Sequence, residues 1–143
     1  MTYSPWAALR ALPHLTYIST RLPAGRAWWL PADDGIVLDD RLTRIGRRCA
    51  LAHELAHADA GDTACADAVL SGRQELRASA KAARWLVTLD GLVDGLLWAQ
   101  DEHQLAEELD VDVETVRARL ASLTDAEKDY IENRLRAAEE DIA

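Results

Sequence analysis

The sequence predicts an α+β fold, with a small antiparallel sheet near the N-terminus and helices from there to the end of the chain. Three observations carry this reading. Two short apolar runs, Ala27–Leu30 (AWWL) and Ile36–Leu38 (IVL), flank the turn signal Pro-Ala-Asp-Asp-Gly. Beyond them apolar residues recur at three- and four-residue steps, beginning with Leu42, Ile45, Cys49, Ala52 and Ala56. Hydrophobic residues make up 49% of the chain against 29% charged, the balance of a globular protein rather than a disordered one.

Each element has a local reason. Ser4 and Pro5 open a short helix over 4–12, Ser4 as N-cap and Pro5 at the first helical position, where its missing N–H breaks no bond. Leu15–Ser19 is β-prone. The two apolar runs read as a hairpin in which Gly35 supplies the positive φ of the turn and Pro31 sits at its edge. A helix from about 43 to 60 is stopped by Gly61. Residues 61–72 read as an irregular loop closed by Gly72, and helices are expected over about 73–88 and 90–99. Three more follow at 102–109, 112–122 and 125–140, the last opened by a capping box of Thr124 and Glu127.

Charge divides the chain. Residues 1–100 carry 11 basic and 11 acidic side chains, whereas residues 101–143 carry 5 and 14, which accounts for the net charge of −9. We therefore expect a compact domain over 1–100 and an acidic helical region over 101–143 packed on it, with Arg44, Arg47 and Arg48 forming a solvated face that pairs with the acidic residues. The N-terminus lacks the pattern of a signal peptide, and no apolar run approaches the ~20 residues of a membrane span, so a cytoplasmic location without membrane contact is expected. Cys49 and Cys65 read as buried free thiols. Trp28, Trp29, Trp85 and Trp98 read as core or pocket-lining bulk in a chain without Phe.

The chemistry lies in Ala50-Leu-Ala-His-Glu-Leu-Ala-His57. His53 and His57, four residues apart, share one helix face, so both imidazoles reach one ion about 2 Å away. Glu54 is rotated by about 100°, off the metal but within reach of a reacting water whose proton it can take. A catalytic zinc needs a third protein ligand. The extended pattern with a glycine and a third histidine downstream is excluded, because Ala60 and Thr63 occupy those positions. Asp59, Asp62, Cys65, Asp67, Glu75 and His103 are the candidates. Asp59 points away around the helix, and Asp62, Cys65 and Asp67 are loosely held in a loop. Glu75 is better placed, near the start of the next expected helix, where Ala78, Ser79 and Ala82 make a face small enough to pack closely on the histidine helix. The plainer reading of Glu75 is a solvated charge favourable to the helix dipole.

The chain resembles the ImmA/IrrE family of metallopeptidases over about residues 20–88. The resemblance rests on Leu22-Pro23-Ala24-Gly25, on Ile36-Val37-Leu38-Asp39, on Leu42 to His57 (LTRIGRRCALAHELAH), on Gly61-Asp62, on Arg73-Gln74-Glu75-Leu76-Arg77-Ala78, and on Ala82 to Val87. It implies a zincin-like fold with a catalytic helix and a ligand helix, one zinc ion on His53, His57 and Glu75, and Glu54 as general base. Family members often occur in phages and mobile elements, and several relieve repression by cleaving a helix-turn-helix repressor encoded nearby. Zincin folds hold substrate as an added strand on an edge near the catalytic helix, for which Ile36–Leu38 or Ala27–Leu30 would serve. The chain departs from the pattern at Ser79, where relatives commonly carry Asp or Asn that can orient a ligand histidine, at Lys81 in place of an aromatic residue, and at Leu86-Val87-Thr88. The oxyanion donor stays open among Tyr17, Tyr130, His103 and the arginines near the catalytic helix.

Residues 103–120 read like a helix-turn-helix, with a turn at Asp110–Asp112. Seven acidic residues against Arg117 and Arg119 across 101–123 oppose docking on phosphates, so a packing or partner-binding unit is expected rather than a nucleic-acid reader. His14 and His103 read as ordinary surface or capping histidines. The expected activity is that of a zinc-dependent metallo-endopeptidase acting on a protein, with a transcriptional repressor as the implied substrate. Its rivals are a regulatory protein that grips a partner without cutting it, and a DNA-binding regulator using 101–123.

Overall fold

The computed structural model describes residues 2–64 and 66–142. In chain order these form α1 (Pro5–Arg10), β1 (Thr16–Thr20), β2 (Ala27–Leu30), β3 (Gly35–Asp39), α2 (Arg44–Ala60), α3 (Ala68–Leu86), α4 (Leu89–Trp98), α5 (Glu102–Leu109), α6 (Val113–Ala121) and α7 (Asp125–Ile142). The α+β class is observed. No helix among the described residues is long and apolar enough to cross a membrane.

The sheet is mixed rather than antiparallel. Its order is β1-β3-β2, with β1 parallel to β3 and β2 antiparallel to it. The reason lies in Ile36-Val37-Leu38, the most apolar strand sequence, which takes the central position and is buried throughout. The segment 21–26 must then carry the chain from β1 past the width of one strand to β2. Asp39 locks this arrangement: its carboxylate accepts from the N–H groups of Leu22 (3.2 Å) and Arg41 (2.8 Å) and from the Arg41 guanidinium at 2.7 and 2.9 Å. The Arg41 guanidinium and these N–H groups hold the carboxyl well below the usual carboxylate range.

Two local expectations fail for steric reasons. The hairpin's left-handed residue is Asp34 (φ 45°), not Gly35, because Pro31–Asp33 wind into a 3₁₀ turn one residue earlier and Asp tolerates that conformation. The ligand helix begins at Ala68 rather than Arg73: the Asp67 side chain accepts from the N–H groups of Val69 and Leu70, and Gly72 lies inside the helix. The expectation that the Cys65 thiol is buried lies outside the described residues. Cys49 is buried and free.

One apolar cluster runs from α2 and α3 through α4 to α7, and a second joins the sheet to the other side of α2. Between α2 and α3 the contact is made by Ala52, Ala56, Ala78 and Ala82, all inaccessible to solvent or nearly so. The acidic region is fastened to α2 by Arg44, which pairs with both oxygens of Asp110, and by Arg48, which donates to the Asp110 carbonyl at 2.6 Å. Of the tryptophans expected as core or pocket-lining bulk, Trp28 and Trp98 are exposed, at 40% and 78%, and each lines a surface cavity rather than the core. Trp29 and Trp85 are half-buried, and Trp85 stacks on Tyr3.

The depressed Asp39 carboxyl stabilises the fold above its unfolded value near pH ~4, and this stability is lost as pH falls through its lower folded value. Asp39→Asn should therefore melt several degrees lower at neutral pH, with the gap from wild type closing as pH drops below ~4, as read by calorimetry across that range.

Candidate metal centre

α2 starts at the Thr43 N-cap, whose hydroxyl accepts from Gly46 N–H at 3.0 Å, and ends at Gly61 in the left-handed conformation (φ 66°). Its length places His53, Glu54 and His57 in the last two turns, against α3 on one side and β2 on the other. Glu75 lies two turns inside α3, so it is not a helix-terminal charge, although its side chain is solvated at 61% exposure.

The side chains of His53, His57 and Glu75 converge. The two Nε2 atoms lie 3.2 Å apart, Glu75 Oε2 is 2.9 Å from His53 Nε2, and Glu75 Oε1 is 3.0 Å from His57 Nε2. Their ligand atoms all fall within 4.8 Å of one another, so the group can hold a metal ion. Ligands about 2 Å from a tetrahedral zinc stand roughly 3.3 Å apart, close to the 3.2 Å between the two Nε2 atoms.

Proton bookkeeping supports the same fit. His57 Nδ1 donates to Asp62 Oδ2 at 2.8 Å, which in the neutral ring leaves a lone pair on Nε2. That lone pair faces another imidazole nitrogen and a carboxylate oxygen. A proton can bridge two of these atoms; a cation satisfies all three. Burial and the neighbouring His57 ring push the His53 pKa down, against the Glu75 carboxylate, and so favour the neutral form that ligates a metal. His57 is buried while Glu75 is 61% exposed, so the group opens towards solvent on the Glu75 side.

Each histidine is held from behind. Gly61 turns the chain so that Asp62 N–H reaches the His57 carbonyl, which brings the Asp62 carboxylate under the His57 ring. Asp62 is buried, paired with Arg77, and its carbonyl accepts from Trp29 Nε1 at 2.8 Å. Asp62, a ligand candidate on sequence, instead lies behind the His57 ring, where its carboxylate fixes the orientation of that imidazole. The signal for this was its position directly after a helix-stopping glycine. His53 Nδ1 lies 3.3 Å from Ser79 Oγ, so the hydroxyl occupies the place where a carboxylate or amide was expected.

Three of the remaining candidates are placed elsewhere. Asp59 pairs with Lys81, Asp67 caps α3, and His103 is exposed on α5. Cys65 lies outside the described residues. Glu54 is buried and makes no hydrogen bond or ion pair among the described residues. Burial pushes its pKa up to about 7, with His57 lowering it and Glu75 raising it. Two cavities meet at Glu54 and Ala27, one extending along Trp28–Pro31 towards Gln74 and the other towards α6. Tyr17, Tyr130 and His103 line neither, and among the described residues Arg26 is the one arginine or lysine that does.

An edge strand borders both cavities. β3 is paired on both sides, so Ile36–Leu38 has no free edge, whereas β2 is paired only with β3. Asp39 N–H donates to the Arg26 carbonyl at 2.8 Å, and the alternation of an antiparallel ladder then turns the N–H and C=O groups of Ala27 and Trp29 outward.

Replacing Asp62 with Asn should weaken zinc binding by about 10- to 100-fold, because the His57 ring loses its carboxylate partner. Ser79→Ala, which removes only a 3.3 Å contact, should weaken it less. Zinc titration against a competing chelator orders the two variants. A scan against models of known protein families finds no match to the chain, and a search of curated proteins finds none either.

Proposed function

We propose that the protein is a zinc-dependent metallo-endopeptidase of zincin-like architecture. The observation that carries this reading is the convergence of His53, His57 and Glu75 within 4.8 Å beside a buried, unpaired Glu54. His53, His57 and Glu75 would hold the ion, which when bound supplies a Lewis acid for the scissile carbonyl and for the attacking water. An extended peptide adds to the free edge of β2, bonding to the outward groups of Ala27 and Trp29, and lies across Glu54 between the two cavities. Glu54 takes the proton of the attacking water and returns it to the departing amine. Asp62 and Ser79 keep the imidazoles in place during both steps.

The resemblance to ImmA/IrrE proteins points to a helix-turn-helix repressor as the protein cut, and to a role in phage or mobile-element immunity. The α5–α6 unit of this chain is poorly suited to reading DNA itself. Arg119 is buried with its Nε donating to the Val87 carbonyl at 2.8 Å, and Arg117 is paired with Glu102. The start of α6, where base contacts would be made, carries Asp112 and Glu114.

Glu54→Gln should keep one zinc per chain and lose about 10²- to 10⁴-fold in cleavage rate. Zinc content by elemental analysis and fragment formation from a co-incubated repressor measure the two arms. A variant that cuts as fast as wild type overturns the mechanism, and a stable complex of the wild-type, zinc-loaded protein with the repressor but without fragments favours the rival that grips without cutting.

A further inference from the structure

We propose that the cavity between Glu54 and α6 is a specificity pocket that takes one bulky apolar side chain of the peptide substrate, with Ala118 setting its depth. The proposal rests on the peptidase reading above.

The cavity, about 430 Å³, touches His53 and Glu54 at one end, so whatever fills it lies next to the reacting position. Its apolar lining comes from small side chains on three helices: Cys49 and Ala50 of α2, Ala82 of α3 and Ala118 of α6. Small residues at these converging positions leave room for a bulky side chain. Ala27 of β2 forms part of the same wall, and its backbone bonding groups face outward. A strand paired there sends alternate side chains to opposite faces, and one of them enters the cavity.

Charge decides which class of side chain it takes. Apart from Glu54 at the inner end, the acidic lining groups are engaged by the lining arginine: Arg26 Nη2 donates to Asp112 Oδ2 at 3.2 Å, and Arg26 Nη1 lies 3.6 Å from Glu114 Oε2. Asp112 Oδ1 also accepts from the N–H and hydroxyl of Thr115. A lysine or arginine from the substrate would compete with Arg26 for these carboxylates, whereas an aromatic or branched aliphatic group can lie against the methyl groups of Ala50, Ala82 and Ala118 and the Cys49 thiol and leave the pairs intact. The α6 wall is fixed in place, since the Asp112 N–H points at Cys49 Sγ (3.5 Å) and Arg44 and Arg48 hold Asp110.

The test is the affinity of acetylated tripeptide amides Ala-Xaa-Ala, with Xaa as Phe, Leu, Ala or Lys, for the full chain by NMR titration with and without zinc. Wild type should bind the Phe and Leu peptides about tenfold or more tighter than the Ala and Lys peptides. Ala118→Leu should bring the Phe-to-Ala ratio close to one without changing zinc stoichiometry, and the milder Ala118→Val should lower it part of the way if the leucine variant fails to fold. A ratio unchanged by either substitution, a preference for Lys, or equal affinities for all four peptides overturns the pocket. Failure of the peptidase reading shows differently: the Phe preference persists, but zinc-loaded wild type cuts no member of a peptide library.

Discussion

The site depends on how closely α2 and α3 approach. Ala52 and Ala56 on one helix meet Ala78 and Ala82 on the other with almost no exposed surface. Helices that touch through methyl groups sit near the lower end of the usual 8–10 Å axial range, and a single branched side chain in that seam would push them apart. Glu75 belongs to α3 and the histidines to α2, so their 2.9–3.0 Å separations express that seam directly. The second face of α3 is then free to receive α6, and the acidic helices are drawn against the cleft instead of hanging from it.

Polar groups around this seam are supported in series. Asp62 is a buried carboxylate, which is costly alone, but it sits between Arg77 and His57 while its own carbonyl receives Trp29. The sheet, the turn after α2 and the middle of α3 thus all contact one residue. A partly satisfied network of this kind would destabilise the fold more than an apolar filling would. The thinner support at His53, one hydroxyl at 3.3 Å, leaves that ring the less constrained of the pair.

Much of this arrangement was legible in the sequence because it rests on local spacing. Two histidines at a four-residue step must share a helix face, a glycine after the last apolar residue must end that helix, and Ser4-Pro5 or Thr124-Glu127 must begin others. Non-local features were less accessible. Nothing in Ile36-Val37-Leu38 says that β1 will pair alongside it in parallel, because both topologies bury the same apolar strand. The start of α3 was misplaced because Gly72 reads as a breaker, while the Asp67 cap that overrides it lies five residues earlier. The position of Asp62 behind His57, and of α6 along the cleft, depends on tertiary packing that no periodicity records.

The order of these pieces along the chain has a consequence for how such a protein can diverge. Every group assigned to the metal and the proton lies between His53 and Ser79, whereas the far wall of the cleft lies more than thirty residues downstream in α6. On the peptidase proposal, substitutions that accumulate in the acidic helices would retune what is held and leave the metal-binding group undisturbed. Drift in one segment would then change the clientele, with the converging histidines and glutamate inherited intact.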